Sequence, residues 1–279
     1  MLAKPPARTL RARGRKISLS ARPIIMGILN VTPDSFSDGG AYDSQGEAVD
    51  AAQRMIAEGA AIIDIGGEST RPGHAPLDAE TELRRAIPAV EMLAAISEVT
   101  ISLDTYKAEV AAAGLKAGAH IVNDVWGLSR DPDMAKAIAD GGAAAIIMHN
   151  REEIDGALDI FDDMRAFFGR AVEKSLAAGV GEDQIVLDPG IGFGKTLEQN
   201  LAILGNLARL NDYGFPVLLG ASRKSFINKV SPSEPGERIG GSVVTTVFAA
   251  LAGISIVRVH DVATHMQALR VIDATGAAN

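Results

Sequence analysis

Asn30, Asp104, Asn123, Asp188 and Arg258 each stand at or near the end of a short apolar run, the kind of run that makes a buried strand. Aspartate accepts hydrogen bonds, and asparagine both donates and accepts. Asp104, Asn123 and Asp188 therefore suit a flat, polar heterocycle with amino and lactam edges. Arg71, Arg258 and His260 are a different kit, cationic donors for an anion such as phosphate. Asn30 offers a neutral oxygen to a Mg²⁺ that substrate phosphates also bind. Together they read as a site for a polar heterocycle carrying phosphate or pyrophosphate.

Other chemistries are poorly served. The chain has no cysteine, which removes disulfides, thiol nucleophiles and Cys-ligated metals and fits a reducing cytoplasm. His74, His120, His149 and His265 have no metal-binding spacing, and neither HExxH nor GxSxG occurs. His120 begins a strand, at the wrong end for chemistry, and His265 reads as a surface helix residue. His149 stands at the right end, equally suited to supporting the site or touching substrate. The stretch DPGIGFGKT (188–196) imitates a phosphate-binding P-loop at its tail, but Pro189 occupies the position of the first required glycine. Its glycines suit a loop turning closely over a site, with Phe193 against a ligand. Helix entry accounts for Gly194 nearly as well.

Eight β-branched runs must position these groups: 23–30, 61–67, 100–105, 120–125, 144–150, 184–190, 216–222 and 254–260. Amphipathic stretches separate them, at 44–60, 77–98, 107–119, 131–142, 157–179, 196–210, 236–253 and 261–274. Gly59 is placed to end the first, and Asp131 before Pro132 to open the fourth. Continuous apolar strands alternating with helices imply a parallel sheet covered by helices. Eight repeats predict a (β/α)8 TIM barrel in one domain over 1–279, with an open doubly wound sheet as the alternative. A barrel of about 250 residues keeps its site at the C-terminal ends of the strands, where all eight runs here deliver a polar or charged group.

Ahead of the first run, residues 1–22 carry seven basic residues and no acid. The stretch RTLRARGRKISLS alternates around Arg13-Gly14 and predicts a β-hairpin rather than a targeting presequence. There is no apolar signal core and no stretch near membrane-spanning length, so no membrane association is expected. The 279 residues are 47% hydrophobic and 22% charged, with net charge −8, which argues against a nucleic-acid partner.

Seven stretches together resemble one family: MGILNVTPDSFSDGG, DIGGESTRPG, ISLDTYKAEV, VNDVWGLS, LDPGIGFGK, GASRKSF and IVRVHDV. They resemble the dihydropteroate synthases of folate biosynthesis, over nearly the whole chain after the hairpin. The resemblance implies a (β/α)8 barrel that joins 6-hydroxymethyl-7,8-dihydropterin pyrophosphate to 4-aminobenzoate with Mg²⁺, releasing pyrophosphate. By the family pattern, Asp104, Asn123, Asp188 and Lys224 hold the pterin, and Asn30 binds the metal. Thr70, Arg71, Arg258 and His260 meet the pyrophosphate. Ser222, Pro72, Phe193 and Phe36 shape the 4-aminobenzoate site, where sulfonamides compete. Asp38, Arg71, Lys224, Arg258 and His260 are the catalytic candidates, with Asp38 or the backbone of the 31–40 loop near the developing cation.

The resemblance also implies a homodimer, for which the apolar stretch VVTTVFAALAGI (243–254) is available, and the absence of cysteine and of a secretion signal gives the cytoplasm as the expected location. Packing against the barrel is the competing use of that helix. Two rival functions share the expected pterin floor: a methyltransferase passing a methyl group from methyltetrahydrofolate to a corrinoid protein, and a non-catalytic pterin-binding paralogue. The loops TPDSFSDGG and STRPG and the SRK and RVH sets favour the synthase. The first of these loops reads as a lid after Asn30, hinged at its glycines.

Overall fold

The computed structural model describes residues 8–19, 22–31, 41–68 and 76–276. Strands β1 (Arg8–Ala12) and β2 (Arg15–Leu19) pair antiparallel as the predicted hairpin. Its turn has positive φ at both central residues, 47° at Arg13 and 80° at Gly14, the geometry whose twist matches that of a two-residue hairpin.

Eight parallel strands follow: β3 (Ile24–Asn30), β4 (Ile62–Gly66), β5 (Thr100–Asp104), β6 (Ile121–Asp124), β7 (Ala144–Met148), β8 (Ile185–Asp188), β9 (Leu218–Gly220) and β10 (Ile256–Val259). Their order is β8-β7-β6-β5-β4-β3-β10-β9, and a parallel bridge from Leu187 to Val217 joins the two ends. That bridge closes the sheet into a barrel and rules out the doubly wound alternative.

Side chains on each strand alternate between two apolar layers. Met26, Ile62, Ile121, Ile146, Val186 and Ile256 point inward and cluster with Leu10, Ala12 and Leu19 of the hairpin. The hairpin thus plugs the N-terminal end, and Arg13 N–H ties it to the carbonyl of Gly142 at 2.9 Å, in the turn before β7. Ile25, Ile63, Leu103, Ile147 and Leu219 point outward into the larger core beneath the helices. The hairpin therefore leaves the C-terminal end of the barrel as the mouth.

The helices are α1 (Ala41–Glu58), α2 (Ala79–Ile96), α3 (Ala108–Ala117), α4 (Met134–Asp140), α5 (Ile160–Ala178), α6 (Leu197–Gly205), α7 (Ser225–Val230), α8 (Ile239–Leu251) and α9 (Val262–Thr275). No described helix is long and apolar enough to cross a membrane. Asp78 caps α2, and Thr196 with Gln199 forms a capping box on α6.

Two local expectations fail. Asp131 does not cap α4; its Oδ2 accepts the N–H of Ala108 at 2.7 Å, supplying α3 with the cap that Lys107 cannot give. The stretch 196–210 is broken at Asn206, beyond which residues Leu207–Tyr213 form a 3-10 helix, because Asn206 leaves the helical region and bonds back to the carbonyl of Ala202. The short α7, on the loop after β9, was not anticipated.

Candidate active site

The C-terminal ends of the strands and the loops after them carry Asn30, Asp104, Asn123, Asp188, Ser222, Lys224, Arg258 and His260 of the predicted set. Register makes Asn30, Gly66, Asp104 and Asn123 neighbours across β3 to β6. Arg258 reaches over from β10 to bond Asp64 Oδ2 through Nε at 2.6 Å and Asp104 Oδ2 through Nη2 at 2.7 Å. Asn123 Nδ2 also donates to Asp64 Oδ2, at 3.1 Å. Asp64 Oδ1 and Asp104 Oδ1 are buried without a hydrogen-bond partner. Buried polar atoms are normally satisfied, so two unpartnered acceptors on carboxylates that share Arg258 suit donors from a ligand.

The electrostatics agree. Burial raises Asp104 well above the usual carboxylate range, with Arg258 opposing and Asp64 adding to the shift. Asp188 is also raised by burial, against the pull of Lys224. Lys224 is lowered by burial to about 8, with Asp188 opposing; its partial exposure at the mouth tempers that shift. Arg258 is raised, since burial disfavours its charge but Asp64 and Asp104 outweigh that. Asp64, Asp104 and Asp188 thus act on the same two cations, Arg258 and Lys224, and the excess of acceptors suits a heterocycle rich in N–H groups.

The loop after β9 presents Ser222 and Lys224 to the mouth while Arg223 turns away. Arg223 takes a left-handed φ of 58° and forks onto Asp261 at 2.9 and 2.5 Å. That tie brings the loops after β9 and β10 together, and His260 Nδ1 lies 3.0 Å from Ser222 Oγ. Lys224 Nζ bonds the carbonyl of Ile191 and lies 4.5 Å from the centre of the Phe193 ring. Phe36, Asp38, Thr70, Arg71 and Pro72 lie outside the described residues.

Asn30 Oδ1 lies 3.8 Å from the point where a Cβ on Gly66 would stand, and Asp104 Oδ2 is equally near that point. Among the described residues no group of three His, Asp or Glu side chains could hold a metal alone. One neutral oxygen at the rim fits a hydrated Mg²⁺ carried mainly by substrate phosphates.

Some sequence assignments change. His149 faces outward: it is fully buried, bonded to Asp163 at 3.0 Å and edge-on to Phe167, so it supports the wall and does not line the mouth. His265 is not at the surface; it is fully buried against Thr246 Oγ at 2.7 Å. Asp64 was missed, although a lone charge in phase with inward Ile62 and Gly66 marked it. Also missed was a buried cluster in which Lys107 bonds both Glu68 and Glu82, with Tyr106 Oη donating to Glu68 at 2.9 Å.

Comparison with known proteins agrees with this geometry. Residues 26–260 match the family described as pterin binding enzyme. The dihydropteroate synthase of Bacillus subtilis is 46% identical over 258 residues, covering 92% of this chain and 90% of its own. The Xanthomonas albilineans dihydropteroate synthase structure with 4-aminobenzoic acid superposes with a TM-score of 0.92 at 41% identity, covering 97% of this chain and 99% of that one. The Clostridium difficile enzyme in the presence of pteroic acid gives 0.88 at 50% identity, over 91% of this chain and 97% of that one. Sequence, barrel and mouth coincide: this chain belongs to the dihydropteroate synthase family of pterin-binding enzymes.

Proposed function

We propose that this protein, acting as one domain, condenses 6-hydroxymethyl-7,8-dihydropterin pyrophosphate with 4-aminobenzoate to give 7,8-dihydropteroate and pyrophosphate. The observation that carries this reading is the pair of buried, unpartnered acceptors on Asp64 and Asp104, the two carboxylates bound by Arg258. The pterin's amino and ring N–H groups supply the donors those atoms lack. Asn123 and Asp188 extend the floor, and Lys224 donates to the pterin's carbonyl edge.

The arylamine reaches neutral pH unprotonated, so no strong general base is needed. The hard step is cleavage of the carbon–oxygen bond to pyrophosphate. The dihydropterin ring spreads the developing positive charge, which makes the displacement SN1-like. Arg258, His260, Arg71 and Thr70 hold the departing anion, as fixed charges should where charge develops. Mg²⁺, when bound beside Asn30, neutralises pyrophosphate charge. Ser222, Phe193, Phe36 and Pro72 wall the 4-aminobenzoate site, which sulfonamides share through their aniline ring, and the role of steadying the cation falls to Asp38 or to the backbone of the 31–40 loop. The work is cytoplasmic, in a homodimer paired through the exposed face of α8, where Val244, Phe248 and Leu251 lie open.

The test mixes protein, dihydropterin pyrophosphate, 4-aminobenzoate and Mg²⁺. Pyrophosphate release that requires 4-aminobenzoate is the expected result. No release with either or both substrates rejects the synthase reading and leaves the non-catalytic paralogue; methyl transfer from methyltetrahydrofolate to a corrinoid protein would mark the methyltransferase.

A further inference from the structure

The loop after β8 takes left-handed turns at Gly190, Gly192 and Gly194, with φ of 65°, 84° and 54°. It also presses on the segment after β7. A Cβ on Gly190 would stand 2.0 Å from the carbonyl oxygen of His149, and one on Gly194 would stand 2.6 Å from that of Arg151. Such a path turns peptide carbonyls inward, where water cannot serve them.

Lys195 serves them instead. It is 4% exposed, and its Nζ donates to the carbonyls of Gly190 at 2.9 Å, Phe193 at 3.0 Å and His149 at 3.1 Å. An ammonium has three protons, and each here has an acceptor. Among the described residues no carboxylate forms an ion pair with it. Burial lowers its pKa to about 7, while Asp188 and Asp163 oppose the shift from a distance and Lys224 and Arg151 add to it. On the mouth side of the same loop, Lys224 bonds the Ile191 carbonyl and faces the Phe193 ring. The loop is thus held between two lysines, one inside the wall and one at the site.

We propose that Lys195 is a positioning residue for the arylamine substrate, fixing the Phe193 ring at the mouth by binding the backbone on both sides of it and the neighbouring loop. This rests on reading Phe193 as a wall of the 4-aminobenzoate site. A residue that served stability alone would not single out one substrate when removed.

The experiment is a double-mutant cycle of Lys195→Met and Phe193→Ala, followed by steady-state kinetics in both substrates. Lys195→Met raises KM for 4-aminobenzoate about tenfold, the scale of lost charge-assisted hydrogen bonds, and moves KM for dihydropterin pyrophosphate less than about twofold. Added to Phe193→Ala, it changes KM for 4-aminobenzoate little further, because the ring it positions is gone. Should Lys195→Met fail to fold, Lys195→Gln keeps two N–H donors and shows the same selectivity at smaller size. Equal rises in both KM values, or additivity with Phe193→Ala, overturn the inference. If Phe193→Ala raises KM for 4-aminobenzoate and neither Lys195 variant does, the inference alone falls. If Phe193→Ala leaves that KM unchanged, the reading of Phe193 falls, and the inference with it.

Discussion

Arg258 Nε lies 2.6 Å from Asp64 Oδ2, so a cation from the last strand is locked to a carboxylate inside the second strand of the barrel. The pair orients the guanidinium, leaving its second arm for Asp104 at 2.7 Å. It also holds Asn123 through the same oxygen. One residue, Asp64, thereby sets the positions of three others at the site.

Asp64→Asn tests that role. The change halves the acceptor capacity facing Arg258 and Asn123. We expect kcat/KM to fall at least about tenfold and unfolding free energy to drop by about 2 kcal/mol, the scale of a lost charged hydrogen bond. Kinetics and urea unfolding check both. Additivity with Asn123→Ala would show that the two do not act as a unit.

Pterin binding should release protons at pH 7. Burial raises free Asp104 to about 8, so it is largely protonated there, whereas a pterin that donates to it, as proposed, would favour the carboxylate. Falling pH therefore weakens binding. Calorimetry of a pterin ligand in buffers of different ionisation heat measures the sign. Net proton uptake at pH 7 would contradict it.

Acid should destabilise the fold through histidines that folding withdraws from water, His149 and His265 buried and His120 half-buried. Burial depresses His265 and His120 from 6.5 to about 4, and His149 to about 3. Each stays neutral when folded, while the unfolded chain takes up a proton below about 6.5. Their contribution is complete above that value and is lost as pH falls toward 4. Thermal melts at pH 7 and pH 5 should differ, and His265→Gln, though less stable at pH 7, should narrow the gap. An unchanged gap would exclude His265 as a source.

Arg223 separates backbone strain from ion pairing. Its φ of 58° favours glycine, yet its side chain forks onto Asp261. Arg223→Gly loses only the fork, while Arg223→Ala loses the fork and keeps the strained φ. The alanine variant should be the less stable by up to about 1 kcal/mol. Both should weaken turnover, because the tie places Ser222 beside His260. Equal stability would mean that the φ costs nothing here.

The sequence by itself determined the repeat, the strand ends and the hairpin. Eight apolar runs with polar ends can bury their backbones only as covered parallel strands, and each end must then fall on one face. Asp104, Asn123, Asp188 and Arg258 were legible for that reason. Only the tertiary structure closed the sheet, since the Leu187–Val217 bridge joins strands that no local pattern links. It alone turned His149 outward, because a one-residue shift on a strand changes the face it serves. Closure also brought Arg258 to Asp64, 194 positions away in sequence, and stacked two loops around Lys195. Those contacts depend on barrel curvature and loop path, which short-range periodicity does not encode.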